Sequence, residues 1–231
     1  MNLKICYFLI LAFLILGNGC RTPPISEMYS PAPGLEEAKT DSLTVFEPKE
    51  GRPDGEKSDI AIGFITFIPG VPYAAQEFTP EYFWGVNGVR NYDFKADLGQ
   101  TIVKDLHASG VAERITYREK SQFVGNSAQS SYLLKLTLKD ANWHRKFTTY
   151  GVSIGGPYLW FVGAPVSYGA VEIKLDASLY KDSKIAETTL SHRANLTEWI
   201  YTPQCYPETL CETIENITPE LRSFLRENID S

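Results

Sequence analysis

The first twenty residues constrain this chain most strongly, because their pattern predicts a leader that is removed and takes no part in the fold. Lys4 supplies one positive charge, residues 5–16 are apolar throughout, and Gly17-Asn18-Gly19 brings small residues up to Cys20. A charged start, an apolar core of about 7–15 residues and a small-residue exit are typical of a cleavable secretory signal. A transmembrane helix would need ~20 apolar residues. We therefore predict a signal peptide over residues 1–19.

Cys20 directly follows the predicted cleavage site, where bacterial lipoproteins carry their lipid on the cysteine sulfur. The site is similar to a lipobox, although Gly17 stands where Leu is usual and Leu16 lies one place further out. We predict that Cys20 takes a diacylglyceryl group and a further fatty chain such as palmitate, which is enough for stable anchoring. A plain signal peptide and an uncleaved anchor are the alternatives. Arg21, in place of the Asp that retains many lipoproteins on the inner membrane, favours the periplasmic face of the outer membrane.

Composition limits the partners of the mature chain. The precursor has 231 residues, 28 acidic against 22 basic, and a net charge of −6. Binding to nucleic acid requires clustered Lys and Arg, so this balance argues against such a partner. A hydrophobic content of 43% is that of a globular protein, and the length allows one domain with a substantial core.

Residues 20–58 are rich in proline and acidic residues and have almost no apolar periodicity. Such a composition buries too little surface to offset the entropy lost on ordering. We predict a tether with a span on the order of 35 Å. A short piece at 43–46 is its only candidate for packing on the domain.

The rest of the chain alternates between strand and helix signals. Period-2 apolar alternation predicts half-buried strands, and an i, i+4 apolar ladder with a capping Asp and a terminal Gly predicts a helix. The order of elements indicates an α+β domain over residues 59–231, with one mostly antiparallel sheet and helices packed on one face. The predicted elements are a central strand over 59–68, a connection over 71–90, a helix over 93–109, an edge strand over 111–118, strands over 132–139, 171–180 and 185–194, and a closing helix from Thr218-Pro219.

Residues 148–170 contain no charged side chain, and their glycines and prolines forbid a membrane-spanning helix. One interpretation is a hairpin whose aromatic side chains complete the core. A second is an exposed apolar tip that contacts lipid or an envelope protein through Tyr158, Leu159, Trp160 and Phe161. A third is the pore hairpin of an oligomeric channel.

Cys205 and Cys211 remain in the mature chain with Cys20 acylated, and an exported pair predicts a disulfide. Their spacing does not fit the alternatives of a redox pair or two metal ligands. The three histidines, His107, His144 and His192, have neither metal-ligand nor triad spacing, and no nucleophile or phosphate-loop motif is present. The sequence thus predicts no catalytic, cofactor-binding or metal residue. Scattered carboxylates leave a glycosidase-like pair open.

Three runs of sequence resemble bacterial envelope lipoproteins. They are Asp97-Leu-Gly-Gln-Thr-Ile-Val-Lys-Asp-Leu-His-Ala-Ser-Gly110, Ala112-Glu-Arg-Ile-Thr116 and Ser131-Tyr-Leu-Leu-Lys-Leu-Thr-Leu138. The pattern, over about residues 93–200, is similar to auxiliary lipoproteins of ABC-type transport systems and to small α+β domains of secretion lipoproteins, with Ser131 in place of their Asp. The resemblance implies a non-enzymatic accessory role beside another envelope protein. An envelope-polymer hydrolase and an export-channel subunit are the rival hypotheses.

Overall fold

The computed structural model describes residues 23–34, 38–53, 60–61, 72–86, 89–119, 132–148, 162–165, 167–198 and 206–229. Within these ranges the chain forms four helices and eight strands. The elements are α1 (Ile25–Met28), β1 (Thr40–Phe46), β2 (Lys49–Glu50), β3 (Ile60–Ala61), β4 (Pro72–Phe78), α2 (Pro80–Val86), α3 (Phe94–Ser109), β5 (Ala112–Arg118), β6 (Tyr132–Thr148), β7 (Ser167–Tyr180), β8 (Lys184–Glu198) and α4 (Tyr206–Asn228).

All eight strands belong to one mixed sheet, and β6 is its hub. One side of β6 pairs antiparallel with β7 along almost its whole length, and β7 pairs antiparallel with β8. The other side of β6 pairs in parallel with β1 and β2 over its first part and antiparallel with β4 over its last part. β5 pairs in parallel with β1, and β3 pairs antiparallel with β4, so both lie on this same side of β6. β8 forms the opposite edge of the sheet. The predicted α+β fold with a mostly antiparallel sheet is confirmed.

The long strands form where apolar residues alternate. Residues 132, 134, 136 and 138 of β6 are buried, and the ladder with β7 shifts register between Leu138 and Asp140. Without this bulge, Asp140 would point into the core with the preceding leucines. Because of the shift, Ala141 and Trp143 are the buried residues after Leu138, and Asp140 is not. The predicted strands over 132–139, 171–180 and 185–194 are confirmed and extended.

Helix α3 ends where the sequence predicts. The Asp93 side chain accepts hydrogen bonds from the amides of Lys95 and Ala96, each at 3.1 Å, and Gly110 adopts a left-handed φ of 66° after the last turn. An αL position is one that glycine occupies without steric cost. The ladder of Phe94, Leu98, Ile102 and Leu106 is buried in the core.

The closing helix begins earlier than predicted. α4 starts at Tyr206 and runs through Pro219, so Thr218 is not its cap. Proline inside a helix removes one amide donor and costs about 3 kcal/mol. Buried residues on both sides, including Leu210, Ile214, Leu221 and Leu225, keep one continuous face on β7 and β8 and offset this cost.

The predicted tether is wrong for residues 23–34 and 38–53, which belong to the folded domain. β1 lies between β5 and β6, and its Leu43 and Val45 are fully buried. Ile25 and Tyr29 of the α1 region join the same core. The composition argument failed because a few apolar residues here are buried by partners distant in sequence.

The predicted connection over 71–90 is also wrong, because it contains β4 and α2. Trp84 of this stretch lies in the core, and Phe78 and Phe83 pack against it. The predicted central strand over 59–68 is described only at Ile60–Ala61, which lies at the edge of the sheet, and its other residues fall outside the described ranges. In the described part of the chain, no helix is long and apolar enough to cross a membrane.

We expect Leu43→Ala to lower the free energy of unfolding by about 2–5 kcal/mol, the range for truncating a buried leucine. Asp41, exposed on the same strand, is the matched control. Asp41→Ala should change stability by at most about 0.5 kcal/mol. Urea denaturation measures both values. Equal, negligible effects of the two substitutions would mean that this segment is a tether after all.

Candidate functional site

Residues 23–30, here called the N-terminal strap, are held to the domain by a buried carboxylate. The amides of Ile25 and Ser26 donate to the Asp97 carboxylate of α3 at 2.7 and 3.1 Å. These amides begin the single turn of α1, which has no side-chain cap of its own. First-turn amides of a helix lack internal partners and favour a negative charge. Asp97, only 7% exposed, therefore caps a helix from 72 residues away in the chain.

Aromatic side chains complete this attachment. Tyr92 donates a short hydrogen bond to the Asp97 carboxylate, and its ring stacks on Trp84 at 4.6 Å. The Trp84 indole in turn donates to the carbonyl of Pro23 at 3.1 Å. Burial and the neighbouring Asp97 charge raise the pKa of Tyr92, so the phenol stays protonated and remains a donor.

A second buried carboxylate fixes the other end of the strap. Asp105 is fully buried on α3 and pairs with Arg222 of α4, whose Nε lies 2.8 Å from Oδ2. Tyr29 donates its hydroxyl to the same carboxylate at 2.5 Å and lies 3.2 Å from the Thr218 hydroxyl. The hydrogen bond with Asp105 raises the pKa of Arg222. The strap, α3 and α4 thus share one charged network.

A third cluster joins the segment after β2 to helix α2. Arg52, 7% exposed, donates from Nη2 to Glu50 at 2.7 Å and to Glu81 at 2.9 Å. Lys95 of α3 lies 3.4 Å from Glu50. The hydrogen bonds from Arg52 lower the pKa of the Glu50 carboxyl to about 2. All three clusters stabilise the segment predicted to be a tether.

The most enzyme-like group lies on β4, β6 and β7. Burial, and then the charge of Glu172, raise the pKa of Asp140, one of whose oxygens is buried with no hydrogen-bond partner. A carboxyl group whose pKa is raised, and which lies beside other carboxylates, is the usual pattern of a general acid. Glu77, however, accepts from Asn142 at 2.8 Å, and Glu172 lies 3.7 Å from Arg193. The hydrolase hypothesis therefore rests on Asp140.

An aromatic cluster lies beside Pro23, where the strap begins. Phe83, Trp84 and Trp143 surround Tyr206 at the start of α4, with ring centroids 4.8–5.9 Å from it. Tyr82 stacks on Phe78 but is 38% exposed. Phe83 and Trp84 thus join α2 to the start of α4 and to β6.

The predicted site residues are mostly beyond the described ranges. Cys20, Cys205 and the residues Tyr158, Leu159, Trp160 and Phe161 all lie there. Cys211 is a buried free thiol on α4, and burial raises its pKa to about 11. Its bond to Cys205 stays a prediction. Among the described residues no group of three or more His, Cys, Asp or Glu is placed to hold a metal ion.

Sequence reasoning missed the acidic residues that hold the strap. Asp97, Thr101 and Asp105 recur at four-residue intervals beside the apolar ladder of α3, and all three are buried. That spacing was visible in the sequence. An acid on the buried side of an amphipathic helix requires a partner, since a buried charge is rarely left unpaired.

No family model and no curated protein matches this chain. Solved structures with similarity include a Xanthomonas campestris protein of family DUF330, with TM-score 0.44 and 13% identity over 84% of this chain and 89% of that one. PelC from Paraburkholderia phytofirmans, a dodecamer, has TM-score 0.39 and 11% identity over 83% and 94%. A Helicobacter pylori homologue of neuraminyllactose-binding hemagglutinin has TM-score 0.38 and 8% identity over 86% and 90%. Likeness at this level assigns no function.

We expect Asp97→Asn to destabilise the domain by about 2 kcal/mol or more, because charged hydrogen bonds to two amides and a phenol are weakened together. The strap should also detach first, so that chymotrypsin cleaves after Tyr29 before the domain unfolds. Asp93→Asn on the same helix is the control, since Asn caps a helix as well as Asp does. Equal proteolysis of the two variants would contradict the role assigned to Asp97.

The Glu50–Arg52 pair predicts a dependence of stability on acid. The folded pKa of Glu50, about 2, lies below its ordinary value of 4.5, so its contribution is present above pH 4.5 and is lost as the pH falls towards 2. Glu50→Gln should flatten the decline of the urea midpoint over this interval. Glu113→Gln, at an exposed site of β5, should leave it unchanged. A Glu50→Gln variant as acid-sensitive as the wild type would refute the assignment.

Proposed function

We propose that this chain is a lipid-anchored accessory protein of the bacterial cell envelope that works by binding or assembly and not by catalysis. Its anchor is Cys20, its compartment the periplasmic face of the outer membrane, and its partner another envelope protein of a transport or secretion system. The observation that carries the proposal is the attachment of the strap. The buried carboxylates and aromatic residues described above fix the chain to the domain only three residues after Cys20.

The charges of the domain support this role. Asp97, Asp105 and Arg52 are the most deeply buried charged side chains of the described ranges. Each is bound to another part of the protein: to the strap, to α4, or to β2 and α2. Such groups stabilise one arrangement of the chain. Their purpose is best explained by a domain that must keep a defined orientation at its anchor.

The resemblance to auxiliary lipoproteins of ABC-type transport systems gives the class of partner. An acidic chain with a fixed orientation could present its surface to a protein that spans or crosses the envelope. Tyr158, Leu159, Trp160 and Phe161 remain the candidate contact with that partner or with lipid. Their charge-free context is a property of the sequence alone.

The test is the covalent state and the neighbours of the protein in intact cells. We expect intact-mass analysis to show loss of residues 1–19 and addition of acyl chains at Cys20, and in-cell crosslinking to capture a specific envelope protein. Cys20→Ser should abolish acylation, membrane retention and that crosslink together. The same spectrum should show a mass two hydrogens below the reduced chain if Cys205 and Cys211 are bonded.

Cys6→Ser is the matched control, because this cysteine lies inside the predicted leader. Processing, acylation and crosslinking should be unchanged in that variant. A mature chain with an unmodified thiol at Cys20 would contradict the anchor. Acylation without any specific crosslinked protein would contradict the accessory role and leave the anchor intact.

A further inference from the structure

Strand β8 forms an edge of the sheet along its whole length. It pairs with β7 from Lys184 to Glu198, and within the described ranges β7 is its only partner strand. Residues 184–196 have no backbone hydrogen bond to any other element in the described part of the chain. In an antiparallel ladder every second residue directs its N–H and C=O groups away from the neighbouring strand. β8 therefore presents a row of backbone donors and acceptors about 40 Å long.

The usual protections of a sheet edge are few along this strand. Natural edges are short, or are interrupted by proline, a bulge or inward-pointing charges. Residues 185–196 contain no proline, and the ladder with β7 shifts register only at its start, between Leu179 and Tyr180. Leu190 and Leu196 are buried on the face that α4 covers, so the helix packs on the face of the strand. These residues have the features of a strand that can accept a further partner.

Glu187 and Arg193 are the charged residues on the exposed face of β8 between positions 185 and 196. Their side chains are 51% and 59% exposed, and only hydroxyl side chains lie between them on this face. Glu187 bonds to Lys184 of its own strand, and Arg193 lies 3.7 Å from Glu172 of β7. Each charge thus has a neighbour within the chain but keeps about half of its surface in solvent.

The spacing of these two charges makes the strand complementary to itself. When a second copy of β8 lies antiparallel beside the first, with a twofold axis at Leu190, Glu187 of each copy lies opposite Arg193 of the other. The exposed face then carries a series of alternating charge across the interface: Glu172, Arg193, Glu187 and Lys184. Opposite charges directly across an antiparallel pair are favourable, and like charges are unfavourable. A shift of two residues in either direction places both charges opposite uncharged residues.

Strand β5, the edge beside β1 on the other side of the sheet, lacks this property. It has seven residues, and its charged residues are Glu113, Arg114 and Arg118. Arg114 and Arg118 lie on the same face, so antiparallel copies centred between them would place like charges opposite each other. Glu113 alternates onto the opposite face, which carries no basic residue. Self-complementary charge therefore distinguishes the β8 edge from the β5 edge.

We propose that two copies of this chain join through β8 as an antiparallel pair, with the twofold axis at Leu190, so that one sheet continues across the dimer. An isologous contact uses the same surface on both subunits and requires that surface to be complementary to itself. The backbone edge supplies the hydrogen bonds between the strands, and Glu187 and Arg193 fix the register. The inference goes beyond the accessory role and does not depend on the anchor, because no residue of the leader takes part.

Charge reversal tests the inference in the full mature chain, purified in detergent, by sedimentation velocity corrected for bound detergent. We expect the wild-type chain to be a dimer. Arg193→Glu should raise the dissociation constant at least about tenfold, because two ion pairs become two pairs of opposed acids. Glu187→Arg combined with Arg193→Glu restores opposite charges at the same positions and should restore the dimer. Arg114→Glu, at an exposed site of β5, is the matched control and should leave the dissociation constant unchanged.

A monomeric wild-type chain would overturn the inference, even if β8 then paired with a strand of a different protein. A dimer that Arg193→Glu leaves intact would overturn it as well, and a double variant that stays dissociated would overturn the register. The urea midpoint of each variant is measured beside its sedimentation. If Arg193→Glu were unfolded, Glu187→Arg reverses the other member of the same pair and should dissociate the dimer equally.

Hydrogen exchange gives a second readout that is specific to the strand edge. Exchange of the peptide over residues 185–196 should slow as the wild-type concentration rises, because pairing protects the amides that β7 does not bind, and should not slow in Arg193→Glu. Exchange that is independent of concentration in both proteins would contradict pairing at β8. The mass of each sample separates the two proposals. An unmodified Cys20 refutes the proposed anchor and leaves the dimer standing, whereas an acylated monomer refutes only the dimer.

Discussion

The attachment of the N-terminal strap depends on two carboxylates buried in helix α3. A one-turn helix such as α1 has almost no stability alone, because nucleation fixes several residues for a single hydrogen bond. The Asp97 carboxylate accepts hydrogen bonds from the first amides of α1. The Asp105 carboxylate accepts hydrogen bonds from Tyr29, near the other end of the strap, and from Arg222 of α4. Apolar packing could hold Ile25 in the core, but it would not specify which backbone atoms meet α3. The hydrogen-bonded charges do specify this, at the cost of desolvation.

A similar specificity operates in the sheet. β6 exchanges partners along its length, from parallel β1 and β2 to antiparallel β4. The bulge at Asp140 lies close to the point where the partners change, and it reverses which positions face the core. Because side chains alternate, one inserted residue moves an acid out of the core and Trp143 into it. Trp143 then stacks on Tyr206 and so joins the sheet to α4.

The sequence predicted those elements whose signals are local and periodic. The ladder and caps of α3 and the alternation in β7 are strong enough to define an element without knowledge of its neighbours. β1 could not be predicted with confidence, because it is short, lies among prolines and acidic residues, and is stabilised by β5 and β6, which follow it by about seventy to ninety residues.

For helix α4, by contrast, a clear local signal was present but did not mark the start of the helix. Thr218-Pro219-Glu220 is a sound local signal for the start of a helix. Burial of Leu210 and Ile214 on the preceding turns outweighed it, and Thr218 contacts Tyr29 instead of capping. The candidate site was missed for a related reason. Asp97 and Asp105 were visible at helical spacing, but Ile25, Ser26 and Tyr29, which bind them, lie on the strap, which composition alone had assigned to a tether.

The replacement of a tether by a bound strap changes what the domain can reach. A coil with a span on the order of 35 Å would let the domain search a wide volume and present any face to a partner. Three chain links cannot separate Cys20 from the bound Pro23 by more than about 11 Å. The buried carboxylates of α3 therefore decide not only how the strap folds but also from which part of the domain the preceding residues of the chain extend.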